Sequence, residues 1–509
     1  MKTYITKSKS IKIKELENNN FSLSPWDFRI LKTVNKNIIT VENIVDYENV
    51  WEQIDVINYL SFKTDYSLWT ISWMKGIIYD EKSNWEYISP NLYNNSLKKL
   101  SKWEIIISRN ATLGKASYIN KEIKCILNWW LTNLYIEDKI KRFYFLWFSF
   151  SKYLSEQLKF TCSWWWTQQN AKRQDVLNLK IPFPSKNNNP EPEKVEKLIS
   201  FIVQNLIDKE EQIKRKNILI DEMIEMELRE NQKEWKIFDS KKYIKISDIF
   251  DKWRLDSDIF SEKVREVEFI TENYINWFSN ISDNFNYCRW QNLQVSQIWE
   301  SYYSNSPKKN FYRIFTNIEM QDNRTISWFR YIWNKNKLTT LPENWIMLAA
   351  DWMIVWRSFF FDKMENTITN IHPWVITAIK KDTEQYKSVF LSLYLSYLKN
   401  IWYLAKIKDK ANWWWLKKIH LDKWIKIPNF PDLKQKEIAK EYYNKVEKNC
   451  DLGFGDYLEK EKERNEKLWI FQLNMEIFEL REVLENLVDK VVLDKKIEIN
   501  FEYLNNNHL

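Results

Sequence analysis

The stretch TCSWWWTQQNAKRQDVLNLKIPFP, residues 161–184, places three consecutive tryptophans among polar residues and closes on an Ile-Pro. A second stretch, KANWWWLKKIHLDKWIKIPNFP at residues 410–431, repeats that order of features. Further upstream, EIIISRNATLGK and WMIVWRSFFF form another pair, which aligns Arg109 with Arg357. The paired anchors are separated by 248, 249 and 246 residues, close to half of the 509-residue chain. Three ordered anchors at a nearly constant offset predict a duplicated module.

Each module is followed by a long apolar repeat with helical spacing. The first repeat comprises Ile199, Ile202, Leu206, Ile213, Ile220 and Met223, and it is interrupted by Lys209 and Lys216. The second comprises Ile470, Leu473, Ile477, Leu480, Leu484, Leu487 and Val491. Sustained spacing of three and four residues predicts a coiled-coil seam, because each stripe is buried against another helix. We expect these helices to pair antiparallel with one module at each end. The alternative, in which each helix packs on its own globular domain, stays open.

The modules themselves carry both strand and helix signals. EIIISR and WMIVWR are short apolar runs typical of buried strands, and FTCSWWWTQQN reads as a strand followed by a flexible loop. FYFLWFSFSKYLSEQLKF and SVFLSLYLSYLKN are apolar enough to be buried helices. The predicted class is therefore α+β, with two tandem modules joined by two long antiparallel coiled-coil helices. The predicted boundaries are 1–188 for the first module, 189–235 for the central helix, 236–431 for the second module and 432–500 for the C-terminal helical region.

Tryptophan stands in many places where glycine is expected. The chain has 29 Trp and only 4 Gly, whereas about 7% glycine is usual. Dipeptides such as Asn84-Trp85, Lys102-Trp103 and Asp351-Trp352 become ordinary turn pairs if glycine replaces tryptophan, because glycine adopts positive φ at little steric cost. We therefore hypothesise that most of these tryptophans are glycines encoded by UGA. A genuine tryptophan-rich, base-stacking surface is the alternative.

Charge is distributed unevenly along the chain. Residues 98–124 and residues 403–427 each have a net charge of +5, whereas residues 191–232 have a net charge of −4. A lysine-rich loop alone is more often a solvated face. At matching places in both copies, it favours two DNA-contacting modules, since neutralising phosphates supplies much of the affinity for duplex DNA.

Several other classes are disfavoured. We find no catalytic constellation, no phosphate loop and no [DN]PP[YF] methyltransferase motif, even after converting Trp to Gly, and the three His lack metal-ligand spacing. The four Cys form no CxxC pair, which fits a reducing cytoplasm. No signal peptide and no membrane span is expected, because no sufficiently apolar run is present. The sequence predicts a non-catalytic cytoplasmic binding protein.

Read with glycines, the first copy becomes KGEIIISRNATLGKASYI, ILNGGLTNL and SGGGTQQNAKRQDVLNLKIPFP. This pattern, its more divergent second copy and the long helices resemble the specificity (S) subunit of type I restriction-modification systems over nearly the whole chain. The resemblance implies that each module is a target recognition domain reading one half of a bipartite site in double-stranded DNA. It also implies that the helices dock two methyltransferase (modification) subunits. S-adenosylmethionine would bind those partners, with no cofactor on this chain, and restriction/translocase subunits can join.

The candidate DNA-contacting residues follow the two copies. Amides can pair bidentately with adenine, and Arg can read guanine or hold phosphate, whereas Lys is a more typical phosphate contact. In the first copy these residues are Arg109, Asn110, Thr112, Lys115, Gln168, Gln169 and Asn170, and in the second they are Arg357, Lys417 and Lys418. Alternatively, the side-chain amides of Gln168 and Asn170 have no role in DNA binding and form hydrogen bonds to the backbone of their own loop.

Two other functions stay open from the sequence. The chain could serve another multi-subunit restriction enzyme or act as an orphan DNA-binding regulator. It could also be a structural coiled-coil protein without a DNA role, in which case it would fail to bind duplex DNA alone or with a methyltransferase partner.

Overall fold

The computed structural model describes residues 5–7, 29–31, 34–49, 67–69, 77–78, 87–95, 99–109, 113–128, 130–161, 163–165, 168–233, 238–239, 244, 246, 249, 257–289, 300–304, 308–315, 319–327, 330–341, 344–349, 357–361, 366–369, 374–379, 385–407, 418–444 and 453–499. The chain divides into two compact units. Unit 1 comprises Met1–Glu211, Lys448–Glu466 and Glu476–Leu509, and unit 2 comprises Gln212–Glu447 and Lys467–Met475. Both contain helices and strands, which confirms the predicted mixed class.

Unit 1 is built from short strands and from helices that follow them. Its strands are β1 (Ile5–Lys7), β2 (Arg29–Leu31), β3 (Ile38–Thr40), β4 (Tyr47–Asn49), β5 (Ser67–Trp69), β6 (Ile105–Ser108), β7 (Ala116–Tyr118), β8 (Cys125–Leu127), β9 (Leu131–Tyr135), β10 (Ser163–Trp165), β11 (Gln168–Asn170) and β12 (Lys180–Pro182). Its helices before the long one are α1 (Pro90–Asn95), α2 (Lys139–Phe150), α3 (Lys152–Thr161) and α4 (Arg173–Leu177).

The central sheet of unit 1 is covered on both faces. Its strands pair antiparallel in the order β4–β9–β6–β7. Successive strand residues point to opposite faces. Accordingly, Ile105 and Ile107 join the large apolar cluster that includes α2, whereas Ile106 joins a second cluster that includes β8. A strand buried on both sides has a continuous apolar run rather than an alternating one, as EIIIS does.

The long helix α5 (Pro192–Glu230) contains the boundary between the units, since unit 2 begins at Gln212. The strands of unit 2 are β13 (Phe278–Asn280), β14 (Phe285–Arg289), β15 (Tyr302–Ser304), β16 (Tyr312–Ile314), β17 (Arg330–Trp333), β18 (Trp345–Leu348), β19 (Ser358–Phe361), β20 (Thr367–Ile368), β21 (Trp374–Ala378) and β22 (Lys426–Pro428). Its helices are α6 (Glu262–Glu272), α7 (Ile281–Asn284), α8 (Tyr386–Asn400), α9 (Tyr403–Ile407), a π-helical turn (His420–Trp424) and α10 (Asp432–Tyr442).

The two units share one topology. The sheet of unit 2 has the order β14–β21–β18–β19. Position by position in the two sheets, β14 therefore corresponds to β4, β21 to β9, β18 to β6 and β19 to β7. The order of these strands along the chain is also the same in both units. The antiparallel pairs β3–β12 and β13–β22 also correspond, as do the parallel pairs β5–β8 and β16–β20. The predicted buried helices are present as α2 and α3 in unit 1 and as α8 in unit 2.

The long central helix is present, with 39 residues in α5. The C-terminal helical region is interrupted, because α10 is followed by α11 (Tyr457–Lys467) and α12 (Ile470–Val492). Within unit 1, Asn189 accepts from the N–H of Ile497, and Glu210 accepts from Arg481 at 3.0 Å. Because residue 189 contacts residue 497 and residue 210 contacts residue 481, the two segments run antiparallel. Among the helices of the described residues, none has the length and apolar content needed to cross a bilayer.

Candidate nucleic-acid interface

Arg109 stands where three segments of unit 1 meet. Its N–H donates to the carbonyl of Trp130 at 2.9 Å, and its own carbonyl accepts from the N–H of Ala171 at 2.8 Å. The second bond joins the end of β6 to the residue that follows β11. The residue is 7% exposed. The structure therefore brings the first candidate segment, at Arg109, next to the second, at 168–170.

The loop between β6 and β7 is closed by Ser108. The N–H of Ser108 donates to the Lys115 carbonyl at 2.8 Å, and the Ser108 hydroxyl accepts from the Lys115 N–H at 2.9 Å. Lys115 is half-buried at the start of β7. Asn110 and Thr112, which the sequence analysis placed in this loop, lie outside the described residues.

Gly114 allows this loop to approach helix α3. Its φ is +75°, in the region that favours glycine, and a Cβ built on it would lie 3.1 Å from the Cα of Ser155. Its N–H donates to the Ser108 carbonyl at 3.0 Å. A larger residue would meet both an unfavourable backbone conformation and a packed helix, so the path of the loop depends on this glycine.

The tryptophan triplet leads into a β-hairpin rather than the predicted flexible loop. Strands β10 and β11 pair antiparallel, with Ser163 opposite Asn170 and Trp165 opposite Gln168. Gln168, Gln169 and Asn170 thus belong to a strand whose backbone is paired, and their side chains are not among the described features. Their contact with DNA stays a prediction.

Basic residues immediately after this hairpin were missed by the sequence analysis. Lys172 and Arg173 are exposed at the start of α4. The Lys172 N–H donates to the Asp175 carboxylate at 2.6 Å, which holds the first turn of this short helix. The signal was present in the string AKRQ, which directly follows the three amides. These two cations add to the electrostatic attraction that this segment can exert on phosphate.

In unit 2, Arg357 is engaged in an ion-pair cluster. Its Nε and Nη2 donate to the two carboxylate oxygens of Asp322 at 2.9 and 3.1 Å, and Lys399 Nζ lies 2.5 Å from the same carboxylate. Burial would raise the pKa of Asp322, but Lys399 and Arg357 hold it well below its usual range. This cluster gives Arg357 a structural role, and DNA contact by Arg357 stays a prediction.

The shared topology corrects the alignment of Arg357 with Arg109. Arg109 follows β6, whose counterpart is β18, whereas Arg357 directly precedes β19, the counterpart of β7. The residue that directly precedes β7 is Lys115. Arg357 therefore corresponds to Lys115, because strand pairing rather than the nearest basic residue sets the register. Lys418 is exposed just before the π-helical turn, and Lys417 lies outside the described residues.

The described residues offer no evident place for a metal. No group of three or more His, Cys, Asp or Glu side chains in this part of the chain is arranged to hold a metal ion. What the site does offer is basic residues in the loop after β6 and at the start of α4, together with the amide-bearing strand β11 of the hairpin, a combination suited to contacts with phosphates and base edges.

Residues 55–222 match the family described as "Type I restriction modification DNA specificity domain". Similar solved structures include the S subunit of a type-I restriction-modification system from M. genitalium, at 12% identity and a TM-score of 0.43, covering 90% of this chain and 97% of that one. Another is the HsdS subunit from Thermoanaerobacter tengcongensis, at 11% identity and a TM-score of 0.25, covering 89% and 96% of the two chains. No curated protein matches the sequence.

Proposed function

We propose, from the match of residues 55–222 to the type I restriction modification DNA specificity domain, that this chain is the non-catalytic S subunit of such a system. Its task is to recognise DNA and to direct a bound modification subunit to the recognised site. The matched range contains every candidate residue of the first copy, from Arg109 to Asn170.

Each unit is proposed to read one half of a bipartite sequence in double-stranded DNA. The observation that carries this step is the recurrence of one topology, including the sheet order β4–β9–β6–β7 and its counterpart β14–β21–β18–β19. A fold repeated in one chain supports two equivalent contacts with the duplex. Half-sites on one face of B-DNA recur about every 34 Å, a spacing that long paired helices can hold.

The partners follow from the same proposal. Two methyltransferase subunits, which carry S-adenosylmethionine, are proposed to dock on α5 and on the C-terminal helices. Restriction/translocase subunits complete the assembly where the system cleaves DNA. Two exposed apolar residues on α5, Leu219 and Met226, are 42% and 54% accessible. Residues seven positions apart lie on one face of a helix, and apolar side chains exposed on a common face suit contact with a partner.

The test is the methylation pattern that the full chain directs. The chain is co-expressed with a modification subunit from the same genome, and methylated adenines are sequenced in the host. A split motif with a fixed non-specific gap is expected. A contiguous motif would contradict two-part reading, and an absence of methylation with a partner that binds the chain would contradict the proposed function.

Variants of Gln168 and Gln169 test more specifically whether the first module reads one half of the motif. Gln168→Ala and Gln169→Ala should relax one half of the motif and leave the other half unchanged, because base-edge contacts specify sequence locally. Gln385→Ala is the control, since Gln385 lies just before α8 in unit 2, outside the proposed docking helices, and donates to Asn344 at 3.0 Å. A change in both halves would argue that the variants damage the fold rather than readout.

A further inference from the structure

One end of the sheet β15–β17–β16 in unit 2 gathers lysines from separate loops. Strands β15 and β16 both pair antiparallel with β17, with Tyr302 opposite Trp333 and Tyr312 opposite Ile332. The starts of β15 and β16 therefore lie at the end of β17. The loop before β16 and the loop after β17 emerge together from this end.

These two loops supply four exposed lysines, which we call the lysine end: Lys308, Lys309, Lys335 and Lys337. The loop after β17 is held to its neighbours by two bonds. Asn334 donates to the Ser301 hydroxyl at 2.6 Å, and the Leu338 N–H donates to the Tyr312 hydroxyl at 3.3 Å. In the other loop, the Phe311 N–H donates to the Lys308 carbonyl at 3.1 Å in a tight turn. The lysines are thus presented by anchored loops.

The charge of this end is not balanced by the nearby described residues. Within 300–304, 308–315 and 330–341, Glu300 is the acidic residue. It lies 3.8 Å from Lys335, with side chains 59% and 73% exposed. Because both side chains are mostly exposed, water and salt screen this pair. Counting Arg313 and Arg330 with the four lysines, six cations and one acid in these ranges give a net charge of +5, and Arg330 is paired with Glu319 outside them.

Two exposed tyrosines lie on the edge strand β15, beside this end of the sheet. Tyr302 and Tyr303 are 67% and 58% exposed. They are successive residues of β15 and so point to opposite faces of the sheet. Tyr302 lies directly opposite Trp333, with ring centroids 5.6 Å apart. Tyrosine hydroxyls and lysines are both common phosphate contacts. Glycine at Trp333, as the recoding hypothesis allows, would leave the four lysines in place.

We infer that the lysine end binds the phosphate backbone of duplex DNA and adds affinity that is independent of base sequence. This step rests on the proposed function, and the argument for DNA as the occupant is charge complementarity. The lysine end differs from the base-reading candidates, because flexible ammonium groups act as point charges without the fixed geometry of guanidinium or amide groups. The sequence did not reveal it, because two strands must pair before Lys308 and Lys335 become neighbours.

The experiment measures binding of the full chain, with its modification subunit, to two duplexes over a series of salt concentrations. One duplex carries the motif found by methylation sequencing, and the other does not. The variants are Lys308→Gln with Lys309→Gln, and Lys335→Gln with Lys337→Gln. The control is Lys139→Gln with Lys141→Gln, which removes two exposed charges from helix α2 of unit 1, outside the proposed DNA contacts and docking helices.

We expect both lysine-end variants to weaken binding to the two duplexes by the same factor. The slope of log K against log salt should fall by about 0.9 for each lost phosphate contact, with the methylated motif unchanged and the control like wild type. Wild-type affinity and slope in both variants would overturn the inference and leave the proposed function standing. Weakening on the motif duplex alone would also overturn it, because that result signifies base readout. Failure of the wild-type complex to bind either duplex would remove the proposed function and this inference together.

Discussion

Lys209 Nζ lies 2.7 Å from Glu476 Oε2, and both side chains are almost fully buried within unit 1. Lys209 is one of the residues that interrupt the apolar repeat of α5, and it is 1% exposed. A lone buried ammonium would be strongly destabilising. Its partner on α12 therefore explains how a lysine can occupy an otherwise apolar seam.

The surrounding polar groups complete the arrangement. Lys209 also donates to Asn465 at 2.6 Å, and Arg464 pairs with Glu476 and with Glu461. Asn465 in turn donates to Asn205 at 2.9 Å. A buried network of this kind favours one register of paired helices, because sliding the helices would leave charges unpaired in an apolar environment.

Lys209→Met should lower the free energy of unfolding by about 3–5 kcal/mol, because it leaves buried carboxylates without their ammonium partner. Denaturant titration of the full chain measures this. The matched control is Lys194→Met, which removes a lysine paired with Glu191 at 2.5 Å on the exposed start of α5. That change should cost less than about 1 kcal/mol. Equal effects of the two variants would contradict a structural role for the buried pair.

Stability should also depend on the protonation of Glu476. Burial alone raises the pKa of Glu476, but the ion pairs with Lys209 and Arg464 outweigh it and lower the pKa from 4.5 to about 2. Because the folded pKa is depressed, this contribution is fully present above pH 4.5 and is lost as the pH falls towards 2. The loss is about 3 kcal/mol. Unfolding titrations between pH 6 and 2.5 should show a smaller acid loss in Glu476→Gln than in wild type. Parallel curves would be inconsistent with this assignment.

Gly114→Ala should destabilise unit 1 by about 1–3 kcal/mol, because alanine at this positive φ is strained and its Cβ would crowd Ser155. Gly455→Ala is the control, since nothing lies within 4 Å of a Cβ built there. Thermal unfolding of both variants measures the difference. Similar melting temperatures would show that the loop relaxes around the added methyl group.

Among the residues that the structure describes, three tryptophans have the backbone conformation that the recoding hypothesis predicts for glycine. Trp103, Trp277 and Trp402 have φ of 79°, 62° and 65°, and each is exposed. Trp345 instead lies in β18 and stacks on Phe361, so its conformation does not require glycine. We expect mass spectrometry of the protein from its source to find glycine at the three exposed positions. Tryptophan at all three would refute the hypothesis there.

The same hypothesis has an energetic test in the recombinant chain. Trp277→Gly should be more stable than Trp277→Ala by about 1 kcal/mol, because glycine alone adopts positive φ without a steric cost. Both variants remove the same ring, so the comparison isolates the backbone term. Equal unfolding free energies would indicate that residue 277 does not hold a left-handed conformation.

Variants of the ion pair between Arg357 and Asp322 distinguish a structural role of Arg357 from a role in reading DNA. Arg357→Gln and Asp322→Asn should each destabilise unit 2, with a coupling of about 1 kcal/mol in a double-mutant cycle. The cycle is measured by urea unfolding. Additive effects would argue against the pair. A methylated motif altered in Arg357→Gln but intact in Asp322→Asn would instead favour direct DNA contact by the arginine.

For much of the candidate site, the sequence predicted which short segments carry the candidate residues but not how those segments contact one another. The amides of Gln168 to Asn170 were recognised from their residue types, but their placement in a paired strand was not, because the polar string TQQN lacks the apolar pattern of a strand. The end of β6 was recognised at Arg109 because EIIIS is a continuous apolar run. Its contact with Ala171 joins residues 62 positions apart, and no local pattern contains that information.

The sequence by itself determined the mixed class, the duplication and the central helix, because these depend on composition, on repeated strings and on apolar spacing within a few residues. Tertiary structure alone decided that Arg357 corresponds to Lys115, that Lys209 is buried against Glu476, and that lysines from two loops share one end of a sheet. The physical reason is that each of these depends on pairing between distant segments. The free energy of such pairing comes from packing and hydrogen bonds that exist only after the chain has folded.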